Sequence, residues 1–410
     1  MKTYIFLTFA LDTYTGGPSY IRNKKIWLEK QGWNVVVFDS YRQRKGLNDI
    51  DFKELKEYCN NRIEELQVIP SWFSRKRRNE ILNEIVKRIP LDSEQIVVES
   101  NVPCLAEWGE LLANKIGASH LIYIISENAV LNTDQEFDYF NYKRKRKELF
   151  SISKQAFSSL FSKFLELEEN ELLYWNAMSE IPPQNIDVPE LSKMGHADFT
   201  ITHFGREKMY FSYLLPELVS FVKSNSSKVF NVIFFGCQVV VDQKIKNLKN
   251  QPNVNLYLIK SYFPIPRAVF NISDVVIATA GCAGISFNAG ARTISMNVES
   301  NRPLGVLGYT TNSIFYASDQ YPDAQQELSG ILQDLLLNHK YQSTEPFIAL
   351  EEREHGYEYQ MSCIQESKSY YPDVLKIKGP LNFKRRIIYI LVKLGFLHLL
   401  NDIKLYGQRH

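Results

Sequence analysis

Short runs rich in valine, isoleucine and phenylalanine alternate with amphipathic segments along most of the chain. Segments 19–31 and 103–117 have the apolar spacing of helices. The apolar runs around them are typical of buried strands, and in the first part of the chain they cover 3–10, 34–40, 95–101 and 119–128. Near-continuous apolar strands that alternate with helices indicate a parallel sheet covered on both faces. We therefore predict a doubly wound α/β domain.

The same alternation starts again after 181–189, a segment rich in proline and polar residues that is typical of a linker. The region around it, 130–193, is less regular and is interpreted as mostly helical. Further apolar runs predict strands at 197–206, 230–237, 254–260, 274–281 and 292–297. Helices are expected to start near Ile285 and to cover 324–338.

The chain has 410 residues, enough for two domains of about 200 residues each. The sequence thus predicts an α/β protein of two doubly wound, Rossmann-like domains that face each other. We expect the first domain at 1–190, the second at 191–370 and a basic amphipathic tail at 371–410. The net charge of +2 argues against a general polyanion binder, so nucleic acid is not an expected partner.

Cysteine usage and the chain's apolar runs indicate a cytoplasmic protein. The five cysteines form no C-x-x-C pair, which is typical of reduced thiols and predicts no metal site. The first apolar run ends at Asp12 and is interpreted as a strand, not a signal peptide. No run reaches the roughly 18 apolar residues that a membrane-spanning helix needs.

In open α/β sheets, ligands bind beyond the carboxyl ends of the strands. "THFGREK" follows the first strand of the second half. Here Gly205 allows a tight turn after His203, and Arg206 and Lys208 place two cations at that edge. A guanidinium can pair with two phosphate oxygens, so we expect a diphosphate here. A solvated basic helix start is the alternative.

A second loop, "ATAGCAGISFNAG" at 278–290, begins with seven consecutive small residues. Small residues let a ligand approach the backbone, and a helix N-terminus attracts phosphate. The predicted phosphate contacts are Gly281, Cys282, Ala283 and Gly284. Tight packing of a helix on the sheet would give the same pattern. Between the two loops, Tyr262 is expected near a nucleobase, or else in ordinary packing.

The first half offers a glycine pair and two candidate bases. Gly16 and Gly17 follow the first strand and could approach a sugar or diphosphate. Glu127, at the end of the strand at 119–128, is the best placed carboxylate for general-base work, and Glu99 is second. A surface glutamate is the commoner outcome for either residue.

This layout resembles the GT-B glycosyltransferases, particularly the family 4 group. The resemblance covers nearly the whole chain in architecture and rests on short motifs: Gly16 with Gly17, Gly205-Arg206 with Lys208, and 281–284 followed by "NAGARTISM". Family 4 also carries two glutamates about seven residues apart around the last loop. Here Gly281 or Cys282 stands near the first position and Asn288 at the second, which indicates a diverged member. Asn288 could still bond a sugar hydroxyl.

The resemblance implies a hexosyltransferase that needs no metal and no cofactor, with a nucleotide-diphosphate sugar as co-substrate. The donor would bind the second domain, an acceptor hydroxyl would come from the first, and C-terminal helices would pack back toward the first. Arg206, Lys208 and the helix start would stabilise the leaving diphosphate. The lone D-x-D, 49–51, does not end an apolar strand and is rejected as a metal motif. Alternatives are a sugar-nucleotide epimerase and a non-catalytic partner or glycan-binding subunit.

Basic and aromatic residues are interleaved at 71–78 and 137–150, and the basic tail has an apolar stretch at 387–400. Such segments are typical of peripheral binding to anionic membrane at the inner face of the plasma membrane. We therefore expect a lipid-linked oligosaccharide as acceptor, in synthesis of a bacterial capsule or lipopolysaccharide O-antigen. Solvated helix faces, and a last helix packed on the first domain, are the alternative interpretations.

Overall fold

The computed structural model describes residues 1–9, 16–40, 61–126, 129–174, 182–205, 211–236, 245–260, 262, 264–346, 353–364, 368–378 and 383–394. Its chain forms two compact units. The first contains Met1–Met178 and Glu352–His410, and the second contains Ser179–Glu351. These bounds differ from 190 and 370 because Val188 packs in the core of the second unit and Tyr357 in that of the first.

The first unit is built on a five-stranded parallel sheet with the order β2-β1-β3-β4-β5. Its strands are β1 Lys2–Thr8, β2 Trp33–Asp39, β3 Gln95–Ser100, β4 Ser119–Ile124 and β5 Leu149–Ser151. Its helices in this part of the chain are α1 Gly16–Lys30, α2 Arg75–Val86, α3 Pro103–Ile116, α4 Asp134–Lys145 and α5 Lys154–Phe161. Apolar side chains fill both faces of the sheet, as the sequence pattern predicts.

Local signals set the helix ends of this unit. α3 begins with Pro103 and ends at Gly117, whose φ of 65° is left-handed. Thr133 caps α4, since its hydroxyl accepts from the Glu136 N–H while the Glu136 carboxylate accepts from the Thr133 N–H. α3 therefore begins and ends close to where its sequence predicts, and α4 lies within the segment interpreted as mostly helical.

The second unit has a six-stranded sheet with the order β11-β10-β9-β6-β7-β8, in which only β10 and β11 pair antiparallel. Its strands are β6 Phe199–Phe204, β7 Phe230–Phe235, β8 Val254–Ile259, β9 Val275–Ala278, β10 Thr293–Met296 and β11 Pro303–Val306. Its helices are α6 Phe211–Ser224, α7 Lys246–Lys249, α8 Arg267–Asn271, α9 Gly281–Asn288 and α10 Leu328–Leu332.

Two expectations about the helices of this unit are wrong, and two short strands of the chain are missed. α9 begins at Gly281, not near Ile285, because the Ala280 carbonyl already accepts from the Ala283 and Gly284 N–H groups. The long helix predicted over 324–338 is the short α10 followed by a π-helical turn at Gln333–Leu337. β5 and β11 are not predicted, since runs of three and four residues carry little periodic signal.

The last two described helices pack in the first unit, which confirms the prediction for the C-terminal helices. In α11, Arg353–Ser362, the Tyr357 ring lies 5.5 Å from that of Trp27. In α12, Phe383–Lys393, the Tyr389 ring lies 5.5 Å from that of Trp72. The Trp72 indole also donates to the Lys378 carbonyl at 3.0 Å.

The basic run at the end of α4 is largely paired inside the unit. Lys143 is buried and contacts Glu110 at 2.7 Å and Glu148 at 2.9 Å. Arg146 also pairs with Glu148, and Arg144 with Glu171. Burial raises the pKa of Glu110, but Lys143 and His120 outweigh it and bring that pKa to about 2. Three cations of the run therefore bind the unit's own carboxylates, whereas Lys145 and Lys147 are exposed.

A fully buried lysine joins α1, β3 and α11. Lys24 Nζ donates to Glu99 Oε2 at 2.5 Å, to Gln360 Oε1 at 2.8 Å and to the Tyr20 hydroxyl at 3.2 Å. All three ammonium protons thus have acceptors. The Nζ atom also lies 5.0 Å from the centre of the Tyr4 ring. Burial lowers the pKa of Lys24, and the Glu99 carboxylate opposes that effect.

Replacing Lys24 should destabilise the protein strongly. We expect Lys24→Met to lower the free energy of unfolding by about 3–5 kcal/mol, because the Glu99 carboxylate is left buried without its cation. The matched control is Lys25→Met, which removes a partly exposed pair with Glu29 and should cost less than about 1 kcal/mol. Urea denaturation measures both variants, and equal losses would contradict this account of the pair.

Candidate functional site

Four neighbouring strands of the second unit, β9, β6, β7 and β8, end at the same edge of the sheet. The hydrogen-bond ladder extends one residue past two of them. Gly205 donates to the Phe235 carbonyl at 2.9 Å, and Gly236 donates to the Ile259 carbonyl at 3.0 Å. Their φ values are 129° and 83°, which other residues rarely adopt. The chain therefore turns sharply as soon as β6 and β7 end.

The structure brings the two predicted phosphate loops together. A Cβ on Gly205 would lie 3.3 Å from Cys282 Sγ, in the first turn of α9. Within that turn Gly281, Cys282 and Gly284 are partly exposed, whereas Ala283 is buried against the sheet. One side of the helix start is thus lined by small, accessible residues beside Gly205. Arg206 and Lys208 follow Gly205 in the chain and lie outside the described residues.

The helix start is also the point of highest backbone strain near this edge. Ala280, the residue before α9, has φ 58° and ψ −143°, a conformation that favours glycine. Its N–H donates to the Ile314 carbonyl at 2.6 Å, which holds it there. Ala280, at the N-cap position, makes no side-chain hydrogen bond to the helix. The strained residue therefore adds no side-chain acceptor of its own at the positive end of the α9 dipole.

Two predicted donor-binding residues face elsewhere. His203 is buried with its ring 4.7 Å from that of Phe211 and 5.7 Å from that of Phe234, on the core face of β6. Asn288 is buried at the last residue of α9, about 10 Å along the helix axis from Gly281. The structure therefore does not bring their side chains to the helix start.

Tyr262 follows β8 and is held by the segment that opens the second unit. Its hydroxyl donates to Glu190 Oε2 at 2.7 Å, and burial together with this carboxylate raises the pKa of Tyr262. The ring packs in the same apolar cluster as Phe235 and Ile265. These contacts match the ordinary packing role that the sequence left open.

In the first unit, Gly16 and Gly17 are the first two residues of α1, three residues earlier than the sequence indicates. Glu127 lies outside the described residues. Glu99 is not available as a base, because its oxygens already accept four hydrogen bonds, two at each oxygen. The donors are Tyr4, Tyr20, Lys24 and Asn101.

Sequence reasoning missed two residues of the edge, Gly236 and Ala280. "FFGC" contains a glycine after an apolar run, the same signal that identified Gly205, but it was assigned to the strand. Ala280 has no signal, because alanine is not a residue expected at positive φ. Among the described residues, no group of three or more His, Cys, Asp or Glu side chains could hold a metal ion.

Comparison with known proteins identifies the fold. No protein-family model matches the chain, and no curated protein matches it. A glycosyltransferase from Rickettsia africae ESF-5 is 14% identical, with 95% of this chain and 97% of that chain covered and a TM-score of 0.54. A protein described as a UDP-N-acetylglucosamine 2-epimerase from Listeria monocytogenes is 13% identical, with 90% and 97% covered and a TM-score of 0.52.

The fold is GT-B. Its two Rossmann-like sheets confirm the predicted fold class. At this level of identity the likeness concerns the fold alone, so membership of family 4 stays a prediction. Ligands of open α/β sheets bind beyond the carboxyl ends of the strands, and in the second unit Gly205 and α9 meet at that edge.

The strain at Ala280 can be tested directly. We expect Ala280→Gly to raise the free energy of unfolding by about 1 kcal/mol, because glycine adopts this conformation without steric cost. Ala283→Gly, inside the same helix, is the control and should lower it by about 1 kcal/mol. Thermal and urea denaturation distinguish the two, and a destabilised Ala280→Gly variant would show that the alanine is not strained.

Proposed function

We propose that this protein transfers a sugar from a nucleotide-diphosphate donor to an acceptor hydroxyl. One observation carries the proposal: Gly205 lies against Cys282, so the loop that leads into Arg206 and Lys208 meets the start of α9. Both loops are predicted phosphate contacts from sequence alone. Their contact at one sheet edge supports a single diphosphate site.

The chemistry follows from the charge that develops during transfer. As the bond from sugar to diphosphate breaks, negative charge grows on the leaving phosphate oxygens. The N-terminus of α9 offers backbone N–H groups and the positive end of its dipole. Arg206 and Lys208 would add two full positive charges. We propose that these groups do the work of a metal ion in a hexosyl transfer, with no other cofactor.

A sugar-nucleotide epimerase is the second candidate, since the Listeria protein with the same fold is described as one. Both reactions use the donor diphosphate site, and they differ in what becomes of the sugar. A transferase gives a glycosylated acceptor, whereas an epimerase gives a new nucleotide sugar or its elimination product. Product analysis therefore distinguishes them.

We further propose a cytoplasmic enzyme bound to the inner face of the plasma membrane, acting on a lipid-linked oligosaccharide in bacterial surface polysaccharide synthesis. α12 supports this, because one side of it is apolar and open: Ile387, Ile390 and Leu394 are 39%, 54% and 62% exposed. Val392 packs in the core on the other side. The sequence places three cations at 384–386. No described helix has the length and apolar character to cross a bilayer.

Introducing negative charge into the apolar stripe of α12 should release the protein from membranes. We expect Ile390→Asp with Leu394→Asp to weaken sedimentation with phosphatidylglycerol vesicles by about 2 kcal/mol, roughly 30-fold, because less apolar surface is buried in the lipid. Leu91→Asp, at an exposed leucine far from α12 in the sequence, is the control. Phosphatidylcholine vesicles should bind every form weakly. Equal binding of all variants would remove the membrane role of α12.

Arg206→Ala tests the donor site. In thermal-shift titrations with UDP, GDP, ADP, CMP and dTDP, we expect one nucleotide to stabilise the wild type. Arg206→Ala should weaken its binding by about 2–4 kcal/mol, roughly 30- to 1000-fold, because a charged hydrogen bond to phosphate is lost. EDTA should change neither result.

The control for this substitution is Arg302→Ala, which removes an exposed arginine of the same unit that pairs with Glu327. It should leave nucleotide binding unchanged. If no nucleotide stabilises the wild type at millimolar concentration, a non-catalytic subunit replaces the enzyme proposal.

A further inference from the structure

Several buried side-chain atoms among the described residues of the first unit have no hydrogen-bond partner. Two of them lie at the carboxyl edge of the sheet, Thr8 Oγ1 at the end of β1 and Asn101 Oδ1 directly after β3. Both residues are fully buried. An unpaired buried polar atom costs about 1–3 kcal/mol, so a protein retains one only where something else is gained.

The two side chains are neighbours at the carboxyl edge of the sheet. Leu7 pairs with Ser100, and the Asn101 N–H donates to the Leu7 carbonyl at 3.2 Å, so Thr8 and Asn101 are the next pair, about 5 Å apart across the strands. Side chains alternate along a strand, so Thr8 lies on the same face as Phe6. Asn101 lies on that face too, since its Nδ2 donates to Glu99 at 2.9 Å.

The packing of α1 on β1 shows where the helix starts relative to this pair. Lys24 Nζ lies 5.0 Å from the Tyr4 ring, and one helical turn earlier the Tyr20 ring lies 6.4 Å from that of Phe6. Helix and strand therefore run in opposite directions. Gly16 lies one helical turn before Tyr20, and Thr8 lies two residues after Phe6. Extending the Lys24–Tyr4 and Tyr20–Phe6 pairs by one more step therefore places the start of α1 opposite Thr8.

We propose that Thr8 and Asn101 form a subsite for a neutral sugar ring at the N-terminus of α1. The proposal rests on glycosyl transfer as the function and identifies the chemistry that the first unit recognises. Asn101 Nδ2 is engaged by Glu99, so the amide offers only its oxygen, which requires a donor from the ligand. The first N–H groups of a helix lack acceptors within the helix.

A sugar hydroxyl satisfies both requirements, because it accepts from an N–H and donates to Asn101 Oδ1. An ionised phosphate only accepts and would meet the Asn101 oxygen with repulsion. The subsite therefore selects a polyhydroxylated, uncharged group, and Gly16 and Gly17 approach a sugar here, not a diphosphate. The sugar could belong to the donor or to the acceptor.

Thr8→Val tests the subsite, since valine keeps the shape and removes only the hydroxyl. We expect a rise of about 2–4 °C in melting temperature, because an unpaired buried hydroxyl is lost. We also expect about tenfold weaker binding of neutral monosaccharides (glucose, galactose, mannose and N-acetylglucosamine), measured by saturation-transfer NMR at millimolar concentration. Thr8→Ser should restore binding.

The matched control is Thr3→Val on the same strand, where the hydroxyl bonds Ser93 at 2.7 Å. It should lower the melting temperature and leave sugar binding unchanged. A lower melting temperature for Thr8→Val, or unchanged binding of every sugar, would overturn the subsite.

The source of the sugar follows from a second comparison, between the nucleoside diphosphate that binds and its sugar conjugates. If Thr8→Val binds the nucleoside diphosphate as the wild type does but binds its sugar conjugate more weakly, the subsite holds the donor sugar. If donor binding is unchanged while the monosaccharide signal falls, it holds the acceptor. A wild type that binds monosaccharides but no nucleotide would refute the transferase and leave the subsite standing.

Discussion

Parallel pairing is the constraint on which the rest of this molecule depends. Strands that run in one direction all end at one edge, so each sheet gathers its loops from distant parts of the sequence. In the second unit this is why Gly205 and Cys282, 77 positions apart in the sequence, come into contact. In the first unit the same rule sets Thr8 beside Asn101. The sheet topology therefore determines where the candidate sites lie, and the side chains determine what could bind there.

Buried polar residues near the carboxyl edge of the first sheet differ in whether their hydrogen bonds are satisfied. Lys24 and Glu99 saturate each other and their neighbours, so they stabilise and cannot exchange protons with a substrate. Thr8 and Asn101, one step closer to the edge, each keep one atom unsatisfied. If the proposed sugar subsite is correct, the boundary between structural and ligand-binding residues lies between Glu99 and Asn101.

Sequence reasoning predicts the fold well where periodicity is continuous. β3 and α3 differ from their predicted bounds by one residue, because an apolar run and a terminal glycine are local signals. It fails for Glu99, whose fate depends on Lys24, 75 residues away, and on Gln360 beyond it. It also fails at the start of α9, where a single carbonyl, that of Ala280, decides the boundary. Hydrogen bonds between residues distant in sequence, and strained backbone conformations, leave no local sequence pattern from which they could be predicted.

Tyr357 and Gln360 complete the core around α1, although more than 300 residues separate them from it in the chain. During translation, the amino-terminal half emerges from the ribosome long before Tyr357 and Gln360 are synthesised. The second unit, whose residues are continuous from Ser179 to Glu351, has all its parts before the first one does. During synthesis, the first unit therefore keeps an incomplete core that is accessible to chaperones and proteases until its C-terminal helices have been made.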